Sequence, residues 1–115
     1  MSKRPDSELL TDIQDAIKRI LTYTAGSAYE DFAKDYKTQD AVVRNFEIMG
    51  EAVKMVSPGV RKKYPDVPWS YIAQFRDKLI HHYSGVNFDV VWNIVHESLP
   101  ALEKQIRRII KESST

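Results

Sequence analysis

The octet RDKLIHHY, at positions 76 to 83, concentrates side chains that can bind anions or transfer protons. Arg76 and Asp77 open it, and His81, His82 and Tyr83 close it. Histidine titrates near neutral pH, so it can take a proton from a ribose 2′-hydroxyl or give one to a leaving oxygen. Arginine stabilises the charge that gathers on a phosphate. These residue types are therefore suited to metal-free cleavage of RNA.

Arg76 falls on the apolar side of the helix that the surrounding sequence predicts. An α-helix turns by 100° per residue, so a group of mostly apolar residues points within about 60° of one direction: Trp69, Ile72, Ala73, Leu79, Ile80 and Tyr83. Arg76 points near the centre of this arc. An unpaired guanidinium in a core is costly. Two interpretations stay open: Arg76 pairs with an internal carboxylate, Glu47 or Glu51, or its face lines a cleft or subunit interface where an anion binds.

His81 lies about 140° around the same helix from Arg76, so the two side chains diverge on a straight helix. Joint action requires a long reach by the arginine, a distorted helix end, or a second subunit; a two-fold dimer would bring both residues around one groove. Alternatively, His81 and His82 are solvated residues that the helix dipole favours at a C-terminus. Asp77 and His81 are four apart, but two ligands do not make a metal site, so we expect neither metal nor cofactor.

Length and composition indicate one soluble domain. The chain has 115 residues, 43% of them hydrophobic and 29% charged, which fits a single core spanning residues 1–115 with flexible ends at 1–5 and 112–115. It contains no cysteine and no apolar run near the ~20 residues that span a bilayer, so a cytoplasmic protein without membrane contact is expected. The net charge of +1 neither favours nor excludes nucleic acid.

The spacing of apolar residues predicts helices and no strands. Helices are predicted from about Asp6 to Gly26, from Ala28 to Tyr36, from Thr38 to Ser57, from Pro68 to Gly85, and from Phe88 onward. Ser27 and Glu30 read as a capping box for the second of them. Residues 60–67 are expected to form a loop. Because the apolar phase continues across Pro100, one long kinked helix is favoured there. The prediction is an all-α antiparallel bundle of four long helices and one short helix.

Two charged clusters outside the octet have alternative interpretations. Arg44, Glu47 and Glu51 share one helix face, either as a solvated salt-bridge surface or as support for Arg76. The basic run Arg61, Lys62 and Lys63 is either solvated surface or a contact for the RNA backbone.

Three blocks of the chain resemble the HepT-type toxins among the HEPN-domain ribonucleases. The octet has the form R-x-x-x-x-H-x-Y, and it lies within VPWSYIAQFRDKLIHHY at 67 to 83. RNFEIMGEAV at 44 to 53 and VVWNIVHESLPAL at 90 to 102 are also similar to helices of that subfamily. The resemblance covers most of the chain in order, which makes it more specific than the octet alone.

The resemblance implies a HEPN helical bundle that forms a two-fold homodimer, with a metal-independent endoribonuclease site built by Arg76 and His81 of both subunits. Asp77 would support this site, together with Glu47 and Glu51, and Arg44 and His82 would be further RNA contacts. Tyr83 matches the tyrosine that a cognate minimal nucleotidyltransferase (MNT) antitoxin adenylylates in a type VII-like toxin–antitoxin pair. Bulky, anionic AMP beside Arg76 would block RNA.

Two other classes of function compete with the ribonuclease. HEPN bundles also act as non-catalytic helical partners that bind substrate or nucleotide for a nucleotidyltransferase, and a plain structural dimer is the third possibility. The intact R-x-x-x-x-H-x-Y motif favours the enzyme, because a binding module needs no proton-transfer group beside its arginine.

Overall fold

The computed structural model describes residues 4–81 and 85–113, and every regular element within these ranges is a helix. The helices are α1 (Asp6–Thr24), α2 (Tyr29–Lys34), α3 (Tyr36–Met55), α4 (Pro58–Lys63), α5 (Trp69–His81), α6 (Phe88–Glu97) and α7 (Leu99–Ser113). The predicted all-α class is confirmed. None of the helices in this part of the chain is both long and apolar enough to cross a bilayer.

The core forms where α1 packs against α3 and α7. The three- and four-residue spacing of apolar residues that predicts α1 is confirmed, since Leu9, Ile13, Ile17 and Ile20 are completely buried. Burying one such side chain is worth about 1.5–3 kcal/mol. On the other face of the bundle α3 also contacts α5, so α3 links this core to the helix that carries Arg76.

The starts of α2 and α3 differ from the prediction by one or two residues. The capping box of Ser27 and Glu30 is wrong, because the residue before α2 is Ala28, whose N–H donates to the Asp31 carboxylate at 3.3 Å. α3 begins at Tyr36 instead of Thr38 because Asp35 caps it, accepting hydrogen bonds from the Thr38 N–H at 3.0 Å and hydroxyl at 2.5 Å.

A short helix, α4, occupies part of the segment that the sequence predicted as a loop, so the prediction for residues 60–67 is wrong at its start. Ser57 caps this helix and Pro58 fills its first turn, where a missing N–H costs nothing. The carboxylate of Asp6 accepts hydrogen bonds from the Ser57 N–H at 2.9 Å and hydroxyl at 2.6 Å. Pro58 therefore starts a helix here in addition to ending α3.

The region around Pro100 contains two helices, α6 and α7, so the single long helix predicted from Phe88 onward is corrected. Proline has no N–H for the carbonyl of His96 four residues earlier, and the division falls at Ser98. Ser98 keeps a right-handed helical conformation, and its carbonyl accepts from the Leu102 N–H at 3.1 Å. The apolar residues therefore keep their three- and four-residue spacing from α6 into α7, and all of these are buried: Val91, Val95, Leu99, Leu102, Ile106 and Ile109.

Candidate active site

A close approach of α3 and α5 positions Arg76. Gly50 of α3 lies so near α5 that a Cβ added there would stand 2.1 Å from the Arg76 Cβ and 2.7 Å from its Cγ. The carbonyl oxygen of Ile72, one turn earlier on α5, would be 3.3 Å away. Only glycine leaves room for this contact. The stem of Arg76 therefore packs directly on the α3 backbone.

The guanidinium of Arg76 lies at the border between core and solvent. Its side chain is 24% exposed, and its Nη1 donates to the Asp77 Oδ1 at 3.1 Å. Its Nε is buried and has no hydrogen-bond partner among the described residues. The carboxylate that contacts Arg76 is thus that of its neighbour in sequence. The internal pairing with Glu47 or Glu51, one of the two interpretations left open by the sequence, is not found in the described ranges.

The buried side of α5 differs slightly from the predicted arc. Trp69, Ile72 and Leu79 are buried as expected, whereas Ile80 is 39% exposed. Ile80 lies about 80° around the helix from Ile72, so a core direction centred on Ile72 and Leu79 leaves it outside. Arg76 points between the direction of Ile72 and that of Ile80, so it lies at the edge of the apolar stripe and not at its centre. This position explains how a charged group tolerates a place among apolar residues.

Asp77 holds two cations with one oxygen. Its Oδ1 accepts hydrogen bonds from the Nζ of Lys54 on α3 and from Arg76. These two hydrogen bonds, that of Lys54 first, hold the pKa of the Asp77 carboxyl below its ordinary value of 3.8. Lys54 was missed by the sequence reasoning. The signal was its place four residues after Gly50, which puts both on the α3 face turned to α5.

His81 is the last residue of α5, and it is exposed. It therefore has direct access to solvent, while Arg76 is mostly covered. Five residues along an α-helix correspond to a rise of roughly 7.5 Å and a turn of about 140°. Within one subunit the two predicted catalytic side chains thus leave α5 in different directions. His82 and Tyr83, also predicted for the site, lie outside the described residues.

The predicted supporting residues on α3 are close to solvent. Arg44 Nη1 approaches Glu47 Oε1 at 3.8 Å, and their side chains are 67% and 22% exposed. Both line a shallow surface groove with Val86 and Phe88, which follow the octet along the chain. Glu51 is exposed. The solvated salt-bridge interpretation therefore describes the Arg44–Glu47 pair.

The basic run is divided between two roles. Arg61 Nη2 donates to the carbonyl oxygens of Val53 at 3.0 Å and Lys54 at 2.8 Å, so it caps the C-terminus of α3. Its Nε is buried without a hydrogen-bond partner among the described residues. Lys62 and Lys63 are exposed. Arg61 therefore has a structural task, and only the two lysines of the run are directed to solvent.

Two adjoining apolar grooves run along the outer side of α5. One, of about 350 Å³, lies between α5 and the start of α6, and includes Lys78 and Asn87. The other, of about 270 Å³, extends between α5 and α7. Tyr71 and Phe75 belong to both, and Tyr71 is 55% exposed although its ring stacks on that of Phe75. α5 therefore presents an uncovered apolar surface beside its polar face.

Within residues 4–81 and 85–113, no three histidine, aspartate or glutamate side chains come close enough together to hold a metal ion.

Comparison with known proteins decides the family. A family model described as "Ribonuclease HepT-like" matches residues 13–109, which include all seven helices in whole or in part. The chain belongs to the HepT-like ribonuclease family. The resemblance inferred from the octet and its flanking blocks is confirmed.

Relatives of the family cover nearly the whole chain. "Putative RNase MJ0127" of Methanocaldococcus jannaschii is 44% identical over 112 residues, which are 97% of this chain and 93% of that protein. "Probable ribonuclease HepT" of Thermococcus cleftensis is 41% identical over 109 residues, 95% of this chain and 99% of that protein. No solved structure matches the chain.

Proposed function

We propose that this chain is a metal-independent endoribonuclease, the toxin of a type VII-like toxin–antitoxin pair, which cleaves RNA in the cytoplasm with Arg76 and His81. The observation that carries the proposal is the environment of Arg76. Its guanidinium is 24% exposed, its Nε lacks a hydrogen-bond partner within the described residues, and its carboxylate contact is shared with Lys54. Positive charge is therefore left over for an anion. Membership of a family described as ribonucleases supports RNA as that anion.

The proposed reaction is an internal transfer of the phosphoryl group. The imidazole of His81 takes the proton of a ribose 2′-hydroxyl, whose oxygen attacks the adjacent phosphorus. The bond to the 5′-oxygen breaks, and that oxygen receives a proton from an imidazolium. The products are a 2′,3′-cyclic phosphate and a 5′-hydroxyl. Arg76 donates hydrogen bonds to the phosphate oxygens, whose charge grows in the transition state. Asp77 keeps the guanidinium oriented.

The site is proposed to be complete only in a two-fold homodimer. Arg76 and His81 of one subunit diverge by about 140°, and a groove between two copies of α5 is an arrangement that lets both act on one phosphate. The uncovered apolar grooves with Tyr71 and Phe75 at their junction adjoin α5 and supply a surface for the second subunit. Glu47, Glu51, Arg44, Lys62, Lys63 and His82 are proposed as further support or RNA contacts.

The ribonuclease is proposed to be neutralised by covalent modification of Tyr83. This tyrosine follows Arg76 by seven residues, a spacing at which two residues of an α-helix share one face. An MNT-type antitoxin that transfers AMP to its hydroxyl would place a phosphate and a bulky nucleoside beside the guanidinium. The attached phosphate would then occupy the position of the RNA phosphate.

The test of catalysis is cleavage of RNA by the purified protein in the presence of a chelator. Wild type is expected to leave 2′,3′-cyclic phosphate ends. His81→Ala should lower the rate by about 10² to 10⁴, as loss of a general acid–base group does. Arg76→Ala should lower it by about 10² to 10³, as loss of a charge-stabilising donor does. Expression of the wild type is expected to arrest growth, and both variants should abolish that arrest.

Matched controls are a histidine and an arginine elsewhere on the surface. His96 on α6 and Arg107 on α7 are exposed, so His96→Ala and Arg107→Ala should cleave RNA as the wild type does. Full activity of the His81 or Arg76 variant, or an inactive wild type, would refute the proposed reaction. An inactive wild type that still binds RNA would favour the alternative function, a non-catalytic helical partner of a nucleotidyltransferase. Incubation with the partner transferase and ATP should add AMP to wild type, and equal labelling of Tyr83→Phe would contradict the modification site.

A further inference from the structure

Lys54 of α3 completes a three-residue charge cluster with Asp77 and Arg76 of α5. One carboxylate oxygen of Asp77 accepts hydrogen bonds from both cations. The side chains of Lys54 and Asp77 are 40% and 41% exposed, and that of Arg76 is 24% exposed. The cluster is therefore open to solvent at both Lys54 and Asp77.

The charge balance of this cluster depends on Lys54. Asp77 alone would neutralise Arg76, and an arginine already paired with a carboxylate competes poorly for a phosphate. With Lys54 present, the cluster has two positive groups for one negative group. One positive charge is therefore left to attract an anion, and the carboxylate is divided between two donors instead of being held by Arg76 alone.

The backbone fixes Lys54 in this position. Lys54 lies one helical turn after Gly50, the residue of α3 on which the Arg76 stem packs. The Lys54 carbonyl is in turn held by the Arg61 guanidinium at 2.8 Å. The α3 end that carries Lys54 is thus held from two sides.

We propose that Lys54 is a phosphate-binding and positioning residue of the RNA site, which shares the Asp77 carboxylate with Arg76 and adds a second cation for the RNA backbone. This inference rests on the proposed ribonuclease function. It assigns the charge of the site to α3 as well as to the R-x-x-x-x-H-x-Y octet on α5.

The first measurement is binding of a 2′-O-methyl RNA oligonucleotide, which cannot be cleaved, at several salt concentrations. Lys54→Met should weaken binding about tenfold and reduce the slope of log affinity against log salt by roughly 0.7, the value for one phosphate contact on a single strand. Lys54→Arg should keep most of the affinity. Lys18→Met, at an exposed position on α1, is the charge-matched control and should bind as the wild type does.

The second measurement tests whether a second substitution restores the activity that Lys54→Met loses. If Lys54 had only a structural role, no such recovery would be expected. Lys54→Met should lower kcat/KM for a cleavable RNA about 10- to 100-fold, because Asp77 then neutralises Arg76. Adding Asp77→Asn to Lys54→Met should recover at least several-fold of that loss, since the competing carboxylate is gone. Thermal unfolding of each variant shows whether it is folded at the assay temperature.

The two hypotheses fail in different ways. Wild type that binds the 2′-O-methyl RNA but cleaves no RNA refutes the ribonuclease, while the salt slopes still decide on Lys54. If the wild type cleaves RNA and the Lys54→Met variant has unchanged affinity and rate, only the proposed role of Lys54 is overturned. Absence of any recovery in the double variant overturns the positioning role.

Discussion

Replacement of Gly50 by alanine tests whether the crossing of α3 and α5 positions Arg76. The new Cβ would stand 2.1 Å from the Arg76 Cβ, whereas ordinary contacts of this kind begin at 3.4 Å. An ordinary contact therefore requires these two carbon atoms to move apart by about 1.3 Å. The nearest atoms are the first two carbons of the arginine stem and a backbone oxygen, so rotation of a flexible side-chain end cannot relieve the clash.

The expected loss of stability is the difference between two opposing effects. Overpacking of this kind costs about 1–3 kcal/mol, and the severity of the overlap favours the upper end. Alanine in place of glycine inside a helix returns about 1 kcal/mol. We expect a net loss of about 2 kcal/mol in the free energy of unfolding. For a domain of this size, that corresponds to a fall in Tm of about 8 °C.

The effect on RNA cleavage should exceed the effect on folding. A displacement of about 1 Å in a catalytic group can cost roughly 10²-fold in rate. Gly50→Ala should therefore cleave RNA about 100-fold more slowly at a temperature at which circular dichroism shows it to be fully folded. Thermal unfolding and cleavage of the same preparation give both quantities.

Gly59 provides the matched control. It also lies in a helix, but a Cβ there would meet only the Ser57 Oγ at 3.9 Å, an ordinary contact. Gly59→Ala should therefore be as stable as the wild type or up to about 1 kcal/mol more stable, with unchanged cleavage. If Gly50→Ala behaved like Gly59→Ala in both assays, the close crossing would not be what positions Arg76.

Two further predictions concern the carboxylate cluster and the core. Because Lys54 and Arg76 lower the pKa of Asp77 in the folded protein, their contribution to stability is present above the ordinary value of 3.8 and is lost as pH falls through the folded-state pKa. Asp77→Asn should therefore flatten the fall in Tm between about pH 5 and pH 2; an unchanged slope would contradict this. Ile106→Ala should lower the free energy of unfolding in urea by about 2–5 kcal/mol, since the Ile106 side chain is completely buried. Ile110 is only partly buried, so Ile110→Ala should cost clearly less. Equal losses would contradict the packing described for α7.

Local sequence patterns predicted the helices well where one apolar stripe is long. The stripe of α1 and the phase shared by α6 and α7 follow from apolar residues at three- and four-residue spacing, and both are buried as expected. Caps were harder, because Asp35, Asp31 and Ser57 act through one or two side-chain hydrogen bonds each, which other nearby polar residues could equally have made. α4 was missed for this reason, since Pro58 both ends one helix and starts the next.

The candidate site was predictable in part. The octet singled out Arg76, His81 and Asp77 as candidates from residue types and spacing, and the resemblance to HepT-type toxins suggested their roles. The carboxylate beside Arg76 was not predicted, because a helical wheel treats Asp77 as pointing about 100° away and ignores the reach of a long guanidinium. The contact of Asp77 with Lys54, 23 positions earlier, depends on how two helices cross.

The sequence by itself therefore determined the all-α class, the order of the long helices and the residues able to do chemistry, because these depend on local periodicity and side-chain type. Only the tertiary structure decided which charges meet. Gly50 lets α5 approach α3 at the Arg76 stem, and that approach brings Lys54 to Asp77. Such contacts depend on the distance and angle between packed helices, to which residues far apart in the chain contribute together.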